Sequence, residues 1–417
     1  MTCDLATNMC ITTTTDAGIH CILDDECESR VCQLDGLCAL AQDILYVDPV
    51  GIAAGECTSV APCELYYATT LISPKRFLVR LGNGVYQLDS GLVVGVLVSD
   101  LTIVGGRSAV LQRTTSGPVL EARDGATLTL RGVSLNKGVA CSNFAHLNVS
   151  RVSFSNPGNE QDPWINLNMC STATVTDSDL LDSLSNGINA AFGGELTVIG
   201  SRITGSATNG VNSTGQRLII IRSTINGNQY LGVRASVQTL TIHRSTVSSN
   251  RGGGISGTGG IFDITNNFVF RNGNDTNSEF GGLRLDTNLP GNRVIQNTIV
   301  RNDSNPLANP LYAGGFFCRG GGSFVNNLIV NNFAGAADQH NAQIGGTCDL
   351  TGSQISNEDV TSKFVSPVAL PFNYHLADMS SRAVNSGIIG PAPETEDFDG
   401  DLRNDGAPDV GADELKP

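Results

Sequence analysis

The sequence predicts an all-β fold in which short parallel strands wind into a solenoid with about 22 residues per coil. Glycine makes up 48 of the 417 residues, about twice its usual share, which favours many short strands joined by tight turns. A period of 22 is too short for helix-pair repeats or propeller blades, so a coil of three short strands fits best. Asparagines recur with separations of 22, 22, 30 and 30 residues, at Asn228, Asn250, Asn272, Asn302 and Asn332. Glycines recur in phase with them, at Gly210, Gly232, Gly254, Gly282, Gly315 and Gly345.

Residues 1–40 form a Cys-rich segment that is too small and polar to build a core without covalent support. Six cysteines allow 15 disulfide pairings, and the sequence does not select one. A zinc site is the competing interpretation, although the segment has no C-x-x-C pair and only His20 nearby. The six are Cys3, Cys10, Cys21, Cys27, Cys32 and Cys38. The spacing from Cys21 to Cys38 resembles that of short Cys-rich modules in secreted proteins, which act as spacers or contact points.

Residues 41–100 are predicted to form the N-terminal cap and the first coils. Strands are expected at residues 44–47 and 77–81, with a helix over residues 64–73 that ends before Pro74. A lone helix at this point would cover the open apolar end of a solenoid. Cys57 and Cys63 are close enough in sequence to close a small loop.

Residues 101–350 are predicted to form the repeating body of a parallel solenoid. The expected strand starts are Leu101, Leu128, Leu147, Leu196, Leu218, Leu240 and Phe262. Identical residues should stack at the strand spacing of ~4.8 Å. The asparagines should then form a structural ladder at one turn, and the glycines should mark the next bend, where a positive φ or a close approach is needed.

The chain alternates after each glycine of the series, and this alternation predicts which side chains face inward. Val211, Val233, Ile255, Leu283 and Phe316 are expected in the core. The residues one position later are expected on one exposed sheet face: Asn189, Asn212, Arg234, Ser256, Arg284 and Phe317. Equating Gly315 with Gly345 places Cys318 and Cys348 in adjacent coils, near disulfide distance. Cys141 and Cys170 are also about one coil apart, with buried free thiols as the alternative for both pairs.

This pattern resembles the right-handed, single-stranded parallel β-helix proteins of the pectate-lyase-like superfamily over about residues 44–417. The opening Tyr46-Val47-Asp48-Pro49 stretch is similar to the first coil of secreted bacterial β-helix proteins, and DFDGDLRNDGAPDVGADE (residues 397–414) is similar to their closing motif. The resemblance implies the fold and secretion. It leaves the activity open, because this fold is found in lyases, hydrolases, epimerases, adhesins and capsule-binding proteins. The signatures of polygalacturonase-type hydrolases are missing.

Charge and cysteine content restrict the partners and the compartment. The net charge of −15 argues against nucleic acid and against an anionic membrane surface. No stretch is long and apolar enough for a transmembrane helix. Twelve cysteines indicate an oxidising compartment, so we expect an extracellular or cell-surface protein in which Met1 replaces a removed leader. The oligomeric state is left open.

The link between the asparagine ladder and the glycine bend lengthens after Asn272, Asn302 and Asn332, which predicts three insertions at one corner. Insertions on one face of a solenoid often mark its binding side. They carry the candidate residues Asp275, Glu279, Asp303, Tyr312 and His340. The adjoining face carries Arg234, Arg284, Asp286 and Arg319.

The resemblance to lyases implies that arginine or calcium would neutralise a uronate carboxylate while His340, Tyr312 or an arginine such as Arg234 or Arg284 removes a proton. The simplest expectation is that the face binds polysaccharide. The alternatives are a polysaccharide lyase or epimerase at the same face, and a structural or adhesive surface spacer.

Residues 351–417 leave the repeat and end in an Asp- and Gly-rich cap. Calcium is the one cofactor for which the sequence gives a pattern. Asp397, Asp399, Asp401 and Asp405 imitate positions 1, 3, 5 and 9 of a calcium loop. The loop departs from that pattern at Leu402 and Pro408, so the alternative is a polar cap in which the aspartates bind backbone amides.

Overall fold

The computed structural model describes residues 2–4, 9–11, 20–33, 35–95, 99–106, 108–155, 161–274, 278–305, 313–334, 343–356, 363–389, 394–403 and 406–415. Three parallel sheets run the length of the molecule, and each coil contributes one strand to each sheet. The chain is therefore a right-handed parallel β-helix of about ten coils. The fold class predicted from the sequence is confirmed.

The strands are numbered along the chain. Sheet 1 contains β3 (Ile44–Ile52), β4 (Leu78–Leu81), β7 (Asp100–Val104), β10 (Thr127–Arg131), β13 (His146–Ser150), β16 (Thr172–Thr176), β19 (Glu195–Ile199), β22 (Arg217–Ile221), β25 (Thr239–His243), β28 (Ile261–Thr265), β31 (Asn292–Ile295) and β35 (Gly322–Val325). Sheet 2 contains β5 (Gly84–Leu88), β8 (Ala109–Arg113), β11 (Ser134–Leu135), β14 (Ser153–Phe154), β17 (Asp179–Leu181), β20 (Arg202–Thr204), β23 (Thr224–Asn226), β26 (Thr246–Ser248), β29 (Phe268–Phe270), β32 (Thr298–Val300), β36 (Leu328–Val330) and β39 (Gln354–Ser356).

Sheet 3 contains β6 (Leu92–Val94), β9 (Leu120–Ala122), β12 (Val139–Ser142), β15 (Ile165–Asn168), β18 (Ile188–Ala191), β21 (Val211–Ser213), β24 (Leu231–Ala235), β27 (Gly253–Thr258), β30 (Leu283–Asp286), β34 (Phe316–Arg319) and β38 (Ile344–Gly346). Three strand pairs stand apart: β1 (Thr2–Asp4) with β2 (Met9–Ile11), β33 (Asp303–Ser304) with β37 (Phe333–Ala334), and β40 (Phe364–Ser366) with β41 (Asn373–Leu376). Among the described residues, the helices are α1 (Leu65–Thr70) and two 3₁₀ turns, Asp24–Glu26 and Ala41–Asp43.

The core is a stack of aliphatic ladders, because residues at equivalent positions of successive coils lie directly above one another. The predicted strand starts share one register in sheet 1, with Ala173 filling the coil between Leu147 and Leu196. In sheet 3, the predicted inward residues from Val211 to Phe316 are all fully buried. Both predictions are confirmed.

The asparagine ladder is buried at the turn between sheets 2 and 3, and each side chain links two coils. The Nδ2 of Asn272 donates to Oδ1 of Asn302 at 2.9 Å, and the Nδ2 of Asn302 donates to Oδ1 of Asn332 at 3.0 Å. The carbonyl oxygens also accept the backbone N–H of the asparagine in the preceding coil. The ladder is structural, as predicted. A second ladder, Asn267, Asn297 and Asn327, joins sheets 1 and 2 in the same way.

The glycine series is required by close approach to the ladder, since a Cβ on Gly282 would lie 2.9 Å from Nδ2 of Asn302. The assignment of Gly345 to this series is wrong. Gly345 pairs with Phe317, and the residue aligned with Gly315 is Gln343, whose side chain closes the ladder by accepting from Nδ2 of Asn332 at 2.8 Å.

Five disulfides are present among the described residues. Cys57–Cys63, Cys141–Cys170 and Cys318–Cys348 form as predicted, the last despite the misaligned glycine. In the N-terminal segment, Cys21 pairs with Cys32 and Cys27 with Cys38. These four sulfurs are therefore not zinc ligands, and disulfide stapling is confirmed for them. The side chains of Cys3 and Cys10 lie outside the described part of the chain.

The Cys-rich segment packs against the β-helix near the turns that connect the strands of sheet 1 to those of sheet 2. The buried Asp24 carboxylate contacts two arginines, Arg151 at 2.8 Å and Arg131 at 3.2 Å. Val31 packs into a small apolar cluster with Leu78 and other outward residues of the first coils. The helix α1 occupies the position predicted for a cap over the first coil, with Leu65 and Ala68 buried.

The C-terminal segment folds back over the outer face of sheet 2. Apolar side chains of that face, including Phe268 and Val300, form one cluster with Tyr374, Leu376 and Val410. An ion pair between Arg403 and Glu414, 2.8 Å apart, is almost completely buried beneath it. Removing either partner would leave an uncompensated buried charge and cost roughly 3–5 kcal/mol. Burial also raises the pKa of Asp413 to about 6.

Candidate functional site

The outer face of sheet 3 carries neither terminal segment in the described part of the chain, because both segments pack on sheets 1 and 2. Its outward residues stand in register from β15 to β34: Asn166, Asn189, Asn212, Arg234, Ser256, Arg284 and Phe317. The predicted face thus exists as one continuous surface. Ser256 and Phe317 are exceptions, since they are only 6% and 3% exposed and do not face solvent as predicted. The burial of Phe317 shortens the open face at that end.

The charged half of this face is defined by Arg234, Arg284, Arg319, Glu279 and Asp286. Arg284 lies between two carboxylates, with its guanidinium nitrogens 3.7 Å from Glu279 and 3.8 Å from Asp286. Arg319, one coil further on, lies 3.4 Å from the same Asp286. Arg234 is exposed two coils before Arg284, a distance of about 10 Å at the spacing of parallel strands. Three arginines and two carboxylates leave a local excess of positive charge on an acidic protein.

A cavity of about 230 Å³ lies within the charged half. Arg234, Ser256 and Arg284 contribute to it from the sheet, Glu279 from the first insertion, and Tyr230 from the turn before β24. The first insertion therefore lies beside the face, as the sequence predicted. Charged groups, a hydroxyl and an aromatic ring line this space.

The other predicted residues are less well placed or lie outside the described chain. Asp303 is in the second insertion, where it pairs with Phe333 of the third and its carbonyl oxygen accepts from the Ser278 hydroxyl at 3.2 Å. Asp275, Tyr312 and His340 lie outside the described residues. Their proposed roles as ligand or base stay predictions.

The neutral half of the face is defined by Asn166, Asn189 and Asn212 together with three apolar residues at its edge. The asparagines form an external ladder, in which Nδ2 of Asn212 donates to Asn189 at 2.9 Å and Nδ2 of Asn189 donates to Asn166 at 3.2 Å. The apolar residues follow sheet 3 in three successive coils: Phe144, Met169 and Phe192.

These three apolar residues are exposed and have left-handed backbone conformations. Phe144 is 71% exposed with φ of 63°, and Phe192 is 79% exposed with φ of 54°. A bulky residue in this region of φ/ψ space costs about 1–2 kcal/mol, and the same conformation recurs at turns of other coils, for example at Arg222 and Arg301. Sequence reasoning missed them, because only Gly, Asn or Asp signals this conformation in a sequence.

The closing Asp series is built largely into the cap. Asp397 is fully buried, and its Oδ1 accepts the backbone N–H groups of Asp399, Gly400 and Asp401 at 2.8–2.9 Å. Its Oδ2 accepts the N–H of Glu414 at 3.0 Å. Asp405 lies outside the described residues, so calcium binding by the four aspartates stays a prediction.

A cavity of about 850 Å³ lies between the Cys-rich segment and the first coils, and the residues that line it are not part of this face. Arg80 lines it and donates to the carbonyl oxygens of Leu81 and Val104 at 3.1 and 3.2 Å. The walls of this cavity belong to the Cys-rich segment and to the first coils, and Arg80 already binds backbone carbonyl groups. We therefore interpret the cavity as a gap in the packing between these two parts of the chain.

Comparison with known proteins agrees with this architecture. Residues 163–357, just under half of the chain, match the family described as a right handed beta helix region. The fold and this match define the class as a right-handed parallel β-helix protein, and the resemblance seen in the sequence is confirmed at that level. No curated protein matches the sequence.

Similar solved structures include two at low identity. The crystal structure of pectate lyase Pel9A is 18% identical, covers 89% of this chain and 96% of its own, and has a TM-score of 0.47. The periplasmic alginate epimerase AlgG is 12% identical, covers 75% of this chain and 82% of its own, and has a TM-score of 0.37. Similarity of this degree does not extend to activity. The described residues contain no helix that is long and apolar enough to cross a membrane.

Proposed function

We propose that the protein is extracellular or attached to the cell surface and binds a linear acidic polysaccharide along the outer face of sheet 3. The observation that carries this proposal is the position of Arg284, fixed between Glu279 and Asp286 on an uncovered face and lining a cavity with Arg234. Guanidinium groups held in place by neighbours suit planar carboxylates or sulfates. The disulfides support an oxidising compartment.

The register of the sheet supports an extended ligand. Equivalent side chains recur at each strand spacing of ~4.8 Å, so a chain molecule lying along the helix axis meets similar groups repeatedly. Asn189 and Asn212 present amide groups that can bind hydroxyls. Phe144 and Phe192 stand two coils apart and present rings on which the apolar faces of sugars can pack.

Binding is favoured over catalysis by the charges at the site. An arginine flanked by two carboxylates is a cation, and arginine does not give up its proton in proteins, so Arg284 suits holding an anion better than removing a proton. The alternative, a lyase or epimerase at the same face, depends on Tyr312 or His340 as the base. A structural spacer would need none of these groups.

The test is to titrate the purified protein with polygalacturonate, alginate, chondroitin sulfate and a neutral glucan by calorimetry, while following ultraviolet absorbance for unsaturated product. Saturable binding of an acidic glycan that Arg284→Ala weakens and Arg217→Ala does not would support the proposal. Arg217 is a matched control, since it is exposed on sheet 1 and pairs with Glu195 at 3.4 Å. Product that disappears in Arg284→Ala would support the enzyme instead, and no binding to any glycan would leave the spacer.

A further inference from the structure

Three potential metal ligands from separate stretches of the C-terminal segment meet where that segment covers sheet 2, whereas the candidate glycan site lies on sheet 3. His375 lies on β41, Asp399 in the turn capped by Asp397, and Asp413 in the final stretch of chain. One ligand atom from each lies within 4.8 Å of the other two. Nε2 of His375 is 3.0 Å from Oδ2 of Asp399.

The hydrogen-bond arrangement aims a nitrogen lone pair into this cluster. Nδ1 of His375 lies 2.5 Å from Oδ1 of Asn373, and since an amide oxygen only accepts, Nδ1 carries the proton. In the neutral imidazole Nε2 is then an unprotonated acceptor. Among the described residues, Nε2 is buried and has no hydrogen bond of good geometry, even to the nearby Asp399. Three acceptors facing one another in this way repel unless a proton on Nε2 or a metal cation lies between them.

Nearby positive charge does not meet this need. Arg403 donates to the backbone carbonyl of Asp413 at 3.3 Å, but its guanidinium is paired with the Glu414 carboxylate at 2.8 Å. The guanidinium of Arg244 is likewise paired, with Glu396 at 3.0 Å. Asp413 is 7% exposed, and the backbone N–H of Leu376 donates to its Oδ2 at 2.6 Å. That single neutral donor leaves a buried carboxylate with unused acceptor capacity directed at the cluster.

The surroundings match those of protein metal sites. An amide oxygen fixes the tautomer and the orientation of the imidazole, as outer-shell partners of ligating histidines do. The ring packs against Phe268 and Phe398, with centroids 4.7 and 5.9 Å away. The Asp399 side chain is 52% exposed, so an ion could enter from solvent and keep water as a further ligand.

We propose that His375, Asp399 and Asp413 bind one divalent transition-metal ion, with Zn²⁺ as the ion that fits best, and that this ion joins the separate stretches of the C-terminal segment where they cover sheet 2. Tetrahedral zinc places its ligand atoms roughly 3.3 Å apart, given bonds of about 2.0–2.1 Å. The observed separations, from 3.0 Å to less than 4.8 Å, need only small side-chain rotations. Calcium fits less well because it prefers oxygen ligands throughout.

The test uses the full chain, freed of metal with a chelator and titrated with ZnCl₂ by calorimetry and by thermal unfolding. One equivalent should bind, and the melting temperature should rise with zinc concentration, because an ion that binds only the folded state stabilises it. His375→Gln and Asp399→Asn should each weaken binding by more than the roughly 10–100-fold cost of losing an outer-shell partner. Calcium should give a much smaller shift.

The control is His243→Gln. His243 also lies near a carboxylate, 3.4 Å from Asp263, but is not part of a three-ligand group among the described residues. This variant should bind zinc as the parent does. Asp399 is half exposed, so Asp399→Asn tests the site even if the variant at the buried Asp413 fails to fold. The proposal is overturned by the absence of stoichiometric zinc binding, or by binding that both His375→Gln and Asp399→Asn retain.

Discussion

The two halves of the outer face of sheet 3 follow the same backbone path and present different chemistry. In the neutral half, coils of short link length place Asn189 and Asn212 on the surface and expose Phe192 at the edge. In the charged half, the coils lengthen, and an insertion brings Glu279 to the side of Arg284. The difference shows that the sheet supplies spacing, whereas the links between sheets decide what a ligand would meet.

The halves also use asparagine in opposite ways. In the coils of the charged half, Asn272, Asn302 and Asn332 are buried at the turn between sheets 2 and 3 and bind across coils through both amide and backbone groups. On the neutral half, Asn189 and Asn212 form their ladder on the outside. Each of the following experiments tests whether this division of roles holds.

The largest effect is expected from Asn302→Ala, which should lower the free energy of unfolding by roughly 3–5 kcal/mol. Oδ1 of Asn302 accepts two donors of Asn272, and its Nδ2 donates to Val269 and Asn332, and each buried group left without a partner costs about 1–3 kcal/mol. Asn212→Ala, on the surface ladder, should cost less than about 1 kcal/mol. Denaturant unfolding of both variants measures this, and equal losses would contradict the assignment of separate roles.

Arg284→Ala should weaken binding of an acidic glycan by about 10- to 100-fold, because a hydrogen bond to a charged group is worth about 1.5–3 kcal/mol. Binding of a neutral glycan should change little. Calorimetric titration of both ligands checks the prediction, with Arg217→Ala as the control. A similar loss for both ligands would mean that the charged half does not select for charge.

Phe192→Ala and Phe192→Gly should both weaken glycan binding by about 2- to 10-fold, since an aromatic contact contributes about 0.5–1.5 kcal/mol. The two variants should differ in stability. Alanine keeps the cost of the left-handed backbone, whereas glycine removes it, so the glycine variant should be more stable than the alanine variant by about 1 kcal/mol. Unchanged binding in both would show that the exposed ring has no part in recognition.

The smallest effect is expected from salt. Raising the ionic strength from about 0.1 M to about 1 M shortens the Debye length from roughly 10 Å to 3 Å. Affinity for an acidic glycan should then fall by a few-fold and level off at the contribution of the neutral half. In Arg284→Ala the dependence on salt should be weaker than in the parent protein. A steep dependence that the substitution does not reduce would place the electrostatic contact elsewhere.

The sequence predicts the scaffold well because ladder residues repeat and their environments repeat with them. Val211, Val233 and Ile255 could be assigned to the core from alternation alone, and Asn228 to Asn332 from their spacing. Prediction fails where the repeat is broken. The predicted alignment of Gly345 with Gly315 is two residues out of register, because the residue that aligns with Gly315 is Gln343. The Gln343 side chain, rather than another asparagine, accepts from Asn332 and ends the ladder.

The candidate site is only partly readable from sequence for a related reason. Arg234, Arg284 and Asp286 follow from alternation along strands, which is a local property. The burial of Phe317 and the exposure of Phe144 depend on what neighbouring links cover or leave open. His375, Asp399 and Asp413 come together because a non-repeating segment folds back on the β-helix. The spacing of these residues in the sequence does not predict that arrangement.

The Cys318–Cys348 disulfide has a topological consequence for the side of the molecule that carries the insertions. It closes a covalent ring that includes the whole third insertion. A protease that cut this insertion once would therefore open the ring without releasing a fragment, and the two pieces would stay joined through the sulfur bridge. Such nicked protein would run as one species until it is reduced and as two pieces afterwards.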